Sequence, residues 1–263
     1  MDWTLFLWAW LGTIPMMVAL WLYYRFYHRN VFLADVGFCA GFGLVSLSLG
    51  MMTTGDAGHR IVVAAMGAGY AFRLAGYLFL TRVLNATEDA RYQLIRQKLG
   101  DRVEWWVFLY FLGQSFAISV FSVPLLVLMA NPSDTWNFWE LLGICVWAIG
   151  VGGETIADFQ LNDFRKQLQN KGKTCREGLW RYSRHPNYFF EGVHWCAYVV
   201  MSVGIKDVWF TLVAPVIMIW ALLKVTGIPF AEARALASRG ADYREYQRTT
   251  NVFLPWFPKD PNC

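Results

Sequence analysis

Residues 178–191 read GLWRYSRHPNYFFE, a basic loop that passes through a proline into an apolar segment. Proline suits the first turn of a helix because its φ angle is fixed and the N–H that it lacks would have no partner there. A helix is therefore predicted to begin near Pro186, with its unpaired backbone donors and positive dipole end facing Arg181, Arg184 and His185. The stretch predicts an anion-binding site. The plainer alternative is a basic loop that lies against anionic lipid headgroups.

Polar side chains recur along one face of the segment that follows. Asn187, Glu191 and His194 stand at i, i+4 and i+7, which is the spacing of one helical face. Upstream, Glu154 and Asp158 have the same i, i+4 relation late in another apolar segment. An ionisable side chain inside a membrane span is costly unless it is paired or hydrated. Each of these residues is therefore a candidate functional residue, and pairing that only fixes the helix register is the alternative.

The composition lies outside that of ordinary soluble proteins, with 56% hydrophobic and 17% aromatic residues in a chain of 263. Long apolar runs of this kind indicate membrane spans. Seven spans are predicted, at residues 3–26, 31–51, 60–84, 105–130, 137–160, 186–204 and 207–226. Short connections favour one all-α membrane bundle, a single domain over residues 1–263 with a substrate side in 1–130 and a cofactor side in 137–263. Residues 85–100 and 227–247 are predicted to form cytosolic amphipathic helices.

Basic residues are unevenly distributed between the two ends of the predicted spans. They follow spans one, three and five and fill the tail, whereas only Arg60 and Lys206 lie on the opposite side. Because basic residues accumulate on the cytosolic side, the N-terminus is predicted outside and the C-terminus in the cytosol, in a bacterial inner membrane or its equivalent. The formal charge of +4, without one basic surface, argues against a nucleic-acid partner. Five scattered cysteines form no metal-ligand spacing.

Residues 178–191, together with the upstream pattern Glu154-x-x-x-Asp158-x-Gln160-x-x-x-Phe164, resemble the C-terminal half of the steroid 5α-reductase-like membrane reductases. Within that family the chain is most similar to a bacterial branch of uncharacterised seven-helix proteins. The similarity extends over roughly residues 30–255. The core Arg-His-Pro-x-Tyr is also similar to membrane methyltransferases of the isoprenylcysteine type, which bind S-adenosylmethionine.

The resemblance implies a catalytic group in the first half of the chain. An acidic residue of the second helix and a tyrosine of the third hold the substrate ketone in the 5α-reductases. The similar positions here are Asp35 and Tyr70, and Arg73 follows three residues later as in that family. The acid of the animal enzymes is a glutamate, so the shorter aspartate changes the expected substrate geometry.

The resemblance and the predicted anion site together imply a set of residues that contact NADPH. These are Glu154, Asp158, Asn162, Arg165, Tyr182, Arg184, His185, Asn187, Tyr188, Glu191 and Tyr243. A dinucleotide-binding fingerprint of the G-x-G-x-x-G type after a strand is absent from the sequence. The family has a small residue before the final glutamate, where this chain has Phe190.

The implied activity is NADPH-dependent reduction of a carbon–carbon double bond conjugated to a ketone in a lipophilic, steroid-like or other lipid substrate. That substrate would arrive from the bilayer, while the cofactor would arrive from the cytosol. We expect a monomer in contact with membrane lipid. Two alternatives stay open at this point, a membrane methyltransferase that uses S-adenosylmethionine and a non-catalytic lipid or ligand binder.

Overall fold

The computed structural model describes residues 2–84 and 100–259, and these residues are helical with connecting turns. Six helical stretches within them are long and apolar enough, by length and composition, to cross a membrane. They are Trp3–His28, Phe32–Met52, Ala57–Leu84, Val103–Met129, Phe138–Lys166 and Val208–Arg239. The predicted all-α membrane bundle is confirmed, and the protein is a multi-pass integral membrane protein.

The α-helices of the described residues are numbered here in chain order. They are α1 (Trp3–Tyr23), α2 (Phe32–Met52), α3 (Ala57–Leu78), α4 (Val103–Phe121), α5 (Val123–Met129), α6 (Phe138–Lys166), α7 (Pro186–Met201), α8 (Val213–Trp220), α9 (Ile228–Arg239) and α10 (Ala241–Thr249). Single wider turns of the π type extend α1, α3 and α8, and short 3₁₀ turns lie between several of the other helices.

The chain divides into two compact units. The first consists of Met1–Asn137 and Ser202–Ala214, and the second of Phe138–Met201 and Pro215–Cys263. This division begins close to the predicted border between the substrate side and the cofactor side. The prediction of a single domain with two functional halves stays a prediction.

In the first unit, α2 packs against α1, α3 and α4. Its first three residues, Phe32, Leu33 and Ala34, are buried in a cluster of apolar side chains with Tyr24 from the end of the first span and Phe111 from α4. Membrane helices associate through close packing rather than through the hydrophobic effect. The polar side chains of α2 are thereby held at fixed positions between helices.

In the second unit, α6 and α7 pack closely along a line of small residues. Gly143, Gly150 and Ala157 recur at intervals of seven on α6, and all three are buried. A Cβ atom on Gly150 would lie 2.6 Å from the backbone nitrogen of His194. Small residues allow helix backbones to approach in this way, which fixes the register of the polar side chains that α6 and α7 carry.

The structure differs from the sequence-based prediction at the sixth span, predicted over residues 186–204. The helix begins at Pro186 as predicted, but it ends at Met201 after 16 residues. A helix of that length spans about 24 Å, less than the hydrocarbon thickness of about 30 Å. It ends because turns follow, in which Gly204 has φ 88° and Asp207 has φ 68°. The predicted count of seven is therefore corrected to six stretches of spanning length within residues 2–84 and 100–259.

The seventh predicted span, residues 207–226, falls within the stretch Val208–Arg239 and consists of successive helical types with a bend before Ile228. The amphipathic tail forms α9 and α10, with a positive φ of 54° at Gly240 between them. The helix predicted over residues 85–100 lies almost wholly outside the described residues.

Candidate cofactor-binding site and substrate-side residues

The predicted polar face of α6 runs from a buried position to an exposed one. Glu154 and Asp158 are 4% and 5% exposed, Asn162 is half-buried and Arg165 is exposed. These positions follow the i, i+4, i+8 and i+11 spacing of one helical face. The face therefore leads from buried carboxylates to a cation at the end of the helix.

The first turns of α7 bring two predicted residues to this region. The Asn187 Nδ2 atom donates to Asp158 Oδ1 at 3.2 Å. The Asn187 Oδ1 atom is buried and accepts no hydrogen bond from residues 2–84 or 100–259. Glu191, one turn deeper, is 6% exposed and accepts from the Trp195 indole Nε1 atom at 2.8 Å. Unlike a satisfied structural amide, Asn187 keeps a buried acceptor for a further donor.

Arg184 has a different set of partners. Its Nε atom lies 2.6 Å from Glu232 Oε1 and its Nη2 atom lies 3.2 Å from Glu232 Oε2. Its Nη1 atom donates to the carbonyl oxygens of Gln247 and Thr250 at 3.0 and 2.7 Å. A guanidinium has five N–H donors, so four of them are used within the protein. Arg184 thus connects the start of α7 to α9 and to the end of α10.

Glu232 is the centre of this cluster, which we call the Arg184–Glu232 hub. The Glu232 carboxylate also accepts from Gln247 Nε2 at 2.7 Å and from the Tyr243 hydroxyl at 3.1 Å, and His185 Nε2 lies 3.3 Å away. Burial, followed by the charge of Glu232, raises the pKa of the Tyr243 phenol above its ordinary value. The phenol therefore stays a donor at neutral pH.

Next to the hub lie three residues that were predicted to bind the cofactor, Tyr182, His185 and Tyr188. The rings of His185 and Tyr188 are stacked with centroids 5.4 Å apart. Tyr182 contacts Phe257 edge to face at 5.9 Å. The Ser183 hydroxyl accepts from the His185 backbone N–H at 3.1 Å, so it satisfies one donor ahead of the helix. The predicted roles of these three residues in cofactor binding stay predictions.

The loop before α7 is held against α6 by side chains that the sequence analysis did not assign. Gln160 Oε1 accepts from the Leu179 backbone N–H at 2.9 Å, and the Trp180 indole donates to the Ala157 carbonyl at 2.9 Å. The Tyr246 hydroxyl donates to the carbonyls of Trp180 and Ser183. The loop is therefore anchored on both sides, to α6 and to α10.

The three predicted catalytic residues all belong to the first unit. Tyr70 is 2% exposed, and the Arg73 guanidinium lies 5.8 Å from the centre of its ring. Asp35, half-buried on α2, accepts from the Tyr110 hydroxyl of α4 at 2.7 Å. Tyr110 was missed because it stands among aromatic residues of an apolar helix, where a tyrosine resembles core packing.

The structure thus groups the predicted residues in three places. Asn187 and Asp158 are brought into contact, and the α6 face continues from them to Asn162 and Arg165. Arg184, His185 and Tyr243 converge instead on Glu232, which the sequence analysis did not include in the site. Asp35, Tyr70 and Arg73 lie in the other unit.

The residues of α6 and α7 fit a dinucleotide. Asn187 Oδ1 is a buried acceptor without a protein donor within the described residues, which matches an amide N–H2 group such as that of nicotinamide. Arg165 is exposed at the end of the same face and offers a planar cation for a phosphate. Along the face that α6 and α7 share, the polar groups therefore change from a buried neutral acceptor to an exposed cation. Reduced NADPH has the matching order, with an uncharged nicotinamide at one end and phosphates further along.

The chain is similar to one protein family over most of its length and to individual known proteins over shorter segments. A family model described as "Protein of unknown function (DUF1295)" matches residues 20–250. The 3-oxo-5-alpha-steroid 4-dehydrogenase 1 of Mus musculus is 33% identical over 72 residues, 27% of this chain and 28% of that protein. The protein of the same name from Bos taurus is 36% identical over 66 residues, 25% of this chain and 26% of that protein. No solved structure matches the chain.

The chain spans only about a quarter of the length of these curated relatives. The family model, in contrast, covers most of the sequence. The predicted resemblance to steroid 5α-reductase-like membrane reductases is confirmed at the level of the family.

Proposed function

The chain belongs to the family described as protein of unknown function DUF1295, and we propose that it is a membrane reductase that uses NADPH. Its substrate class is a lipophilic molecule with a carbon–carbon double bond conjugated to a ketone. The matched segments of the two steroid dehydrogenases support this class of reaction. The observation that carries the proposal is the contact between Asn187 and Asp158 beside a buried, unused amide oxygen.

On this proposal, residues of the second unit hold the cofactor. Asn187 and Asp158 face the nicotinamide amide, and Arg165 binds a phosphate together with the backbone donors at the start of α7. When bound, the reduced nicotinamide supplies hydride. The Arg184–Glu232 hub positions the loop that contains Tyr182. Its two charges pair with each other, the Arg184 guanidinium with the Glu232 carboxylate.

Residues of the first unit hold the ketone. A hydroxyl donor directed at the carbonyl oxygen stabilises the negative charge that develops there, and a site without water makes that donor more effective. We assign this donor to Tyr70. Tyr110 fixes the orientation of the Asp35 carboxyl through its hydrogen bond of 2.7 Å, and Arg73 lies beside the Tyr70 ring.

The test is NADPH oxidation by the full chain in lipid nanodiscs, followed by the absorbance of the reduced nicotinamide against a panel of lipophilic enones that includes steroids. Consumption of NADPH with at least one enone supports the proposal. If no enone is reduced, and S-adenosylmethionine co-purifies and donates its methyl group to a lipophilic acceptor, the protein is the methyltransferase.

The orientation of the chain is part of the same proposal. NADPH is a cytosolic cofactor, so the α6 end at Arg165 must face the cytosol, as the distribution of basic residues also predicts. A reporter fused to the C-terminus is expected to read cytosolic. A reporter that is active outside the cytosol would contradict the orientation. Size-exclusion chromatography with light scattering tests the expected monomer.

A further inference from the structure

The opposite face of α6 from the polar one carries an apolar groove that the proposed reaction does not use. Its walls are formed by Ile149, Ile156, Leu179 and Phe190, its floor includes Gly152, and Gln160 lies at its end. The groove is shallow, with a volume of about 470 Å³. Ile149 and Ile156 are 61% and 52% exposed, so the groove is open along its length.

We propose that this groove binds one acyl chain of an anionic phospholipid from the cytosolic leaflet. From residue 148 to residue 160 the groove extends about 18 Å along the helix axis. One leaflet of a bilayer contributes about 15 Å of hydrocarbon. A single lipid tail therefore matches the groove in length, and an elongated open channel suits a flexible chain.

Gln160 supplies a polar group where a lipid ester would lie. Its Oε1 atom is used by the Leu179 backbone N–H at 2.9 Å. Within residues 2–84 and 100–259 this is the one hydrogen bond of the Gln160 side chain, and it does not use the amide N–H donors. Because α6 ends at Lys166, one and a half turns further on, Gln160 stands close to the predicted interface, the depth of the ester carbonyls.

The charge beyond this end favours an anionic headgroup. Lys171, Lys173 and Arg181 are all exposed in the connection that leads from α6 to α7, and Glu177 is the one acid between them. Basic residues next to a membrane surface attract anionic lipids. Leu179 belongs to the same connection and lines the groove, so the segment that carries these basic residues also borders the apolar channel.

Phe190 forms part of one wall of the groove. It stands where the resembled family has a small residue, and its ring packs onto Gly153. A small side chain at that position would remove one wall of the groove. This wall of the groove therefore depends on the Phe190 side chain.

Glycines provide a matched pair of variants for the test. A Cβ atom on Gly152 would meet nothing within 4 Å, and the same holds for Gly113 on α4. Gly152→Leu fills the groove without crowding the helix, whereas Gly113→Leu adds the same side chain elsewhere. Gln160→Glu keeps the acceptor for Leu179 and removes the amide donors.

The experiment uses the full chain in vesicles of phosphatidylglycerol and phosphatidylcholine with spin-labelled phosphatidylglycerol. Beyond the boundary lipid that surrounds any membrane bundle, wild type and Gly113→Leu are expected to immobilise one further labelled lipid per chain. Gly152→Leu is expected to immobilise no further lipid, and Gln160→Glu to release that lipid faster. NADPH oxidation by Gly152→Leu should match wild type, so this result is separable from the reductase proposal. Equal immobilisation by Gly152→Leu and wild type would overturn the inference. Displacement of the lipid by a steroid ketone would also overturn it, because the groove would then belong to the substrate.

Discussion

Arg184 and Asn187 stand three residues apart in one short motif, yet they belong to two different regions. In the region of Arg184 the polar groups bond to one another, whereas in the region of Asn187 one buried polar atom has no partner among the described residues. Arg184 gives four of its five donors to Glu232 and to carbonyls of the tail. Asn187 makes one bond, to Asp158, and keeps a buried oxygen without a donor among the described residues. A residue that is satisfied within the protein stabilises the fold, whereas one with unused capacity is available to a ligand.

This comparison revises how a basic motif is interpreted. The sequence places Arg181, Arg184 and His185 together before a helix, which favours an anion site. The structure gives Arg184 a carboxylate of the same chain instead, so most of the anion-binding capacity of that side chain is already used. Arg165, at the exposed end of α6, is the better candidate for a cofactor phosphate.

The largest expected effect comes from breaking the Arg184–Glu232 hub. Arg184→Ala leaves the half-buried Glu232 carboxylate without its cation, and we expect a cost of about 3 kcal/mol, the lower end of the range for buried pairs. We expect a matching loss in the free energy of unfolding, measured by denaturant titration in detergent. Arg248→Ala removes an exposed arginine and serves as the control, with unchanged stability. If Arg184→Ala were as stable as wild type but failed to bind NADPH, the hub would not be structural.

The second prediction applies the same distinction to two tyrosines of the first unit. Tyr70→Phe should lower turnover by about 10²–10³-fold if Tyr70 acts as an oxyanion donor. Tyr110→Phe removes one hydrogen bond to Asp35, so a smaller loss of roughly tenfold is expected. Both are measured as kcat with the best enone, and NADPH affinity should survive in both.

Two results would contradict the assignment of Tyr70. Normal turnover by Tyr70→Phe would exclude it as the donor. A larger loss in Tyr110→Phe than in Tyr70→Phe would transfer that role to Tyr110. Asp35→Asn should be milder than Asp35→Ala, because the amide keeps an acceptor for the Tyr110 hydroxyl.

The third prediction concerns the polar face that α6 and α7 share. Arg165→Ala should weaken NADPH binding by about tenfold or more, because a charge-assisted contact contributes about 1.5–3 kcal/mol. Asn187→Ala should weaken it by up to about tenfold, because a neutral hydrogen bond contributes about 0.5–1.5 kcal/mol. Binding is measured by isothermal titration calorimetry in detergent. Arg248→Ala, another exposed arginine, is the control for a general effect of charge. Unchanged affinity in both variants would remove the cofactor from this face.

Local features of the structure could be predicted from the sequence because they depend on periodicity. The start of α7 at Pro186 and the shared face of Glu154 and Asp158 follow from residues within a few positions of one another. The partner of Arg184 could not be predicted in the same way, since Glu232 lies 48 residues further along the chain. Such a pairing depends on where the tail folds back.

Two other features were missed for different physical reasons. Hydropathy continues past Met201, so it gave no sign of the turns that end α7 early. Tyr110 lies among Trp105, Trp106 and Phe108, and apolar periodicity cannot distinguish a tyrosine that packs from one that donates to Asp35. A half-buried aspartate on a neighbouring span was the one available signal, because such a group needs a donor.

The smallest expected effect is the contribution of the Tyr243 hydroxyl to the free energy of unfolding, and how that contribution changes with pH. The Tyr243 pKa is raised in the folded protein by burial first and by Glu232 second. The ordinary pKa of a tyrosine is about 10. Above that pH the unfolded chain loses the Tyr243 proton while the folded chain retains it, so the folded state binds more protons. Stability contributed by this group is therefore complete below about pH 10 and decreases as pH rises towards the folded pKa.

The decrease due to one proton is at most about 1.4 kcal/mol per pH unit. Tyr243→Phe removes the titrating group, so its unfolding free energy should fall less steeply than that of wild type on the alkaline side. At neutral pH the same variant loses only one neutral-to-charged hydrogen bond, about 1.5–3 kcal/mol. The difference between the two proteins should therefore narrow from neutral pH to alkaline pH, as measured by unfolding at a series of pH values in one detergent. A difference that stays constant or widens would mean that Tyr243 does not hold its proton more tightly in the folded state, and that its contact with Glu232 contributes less to the hub than the other bonds do.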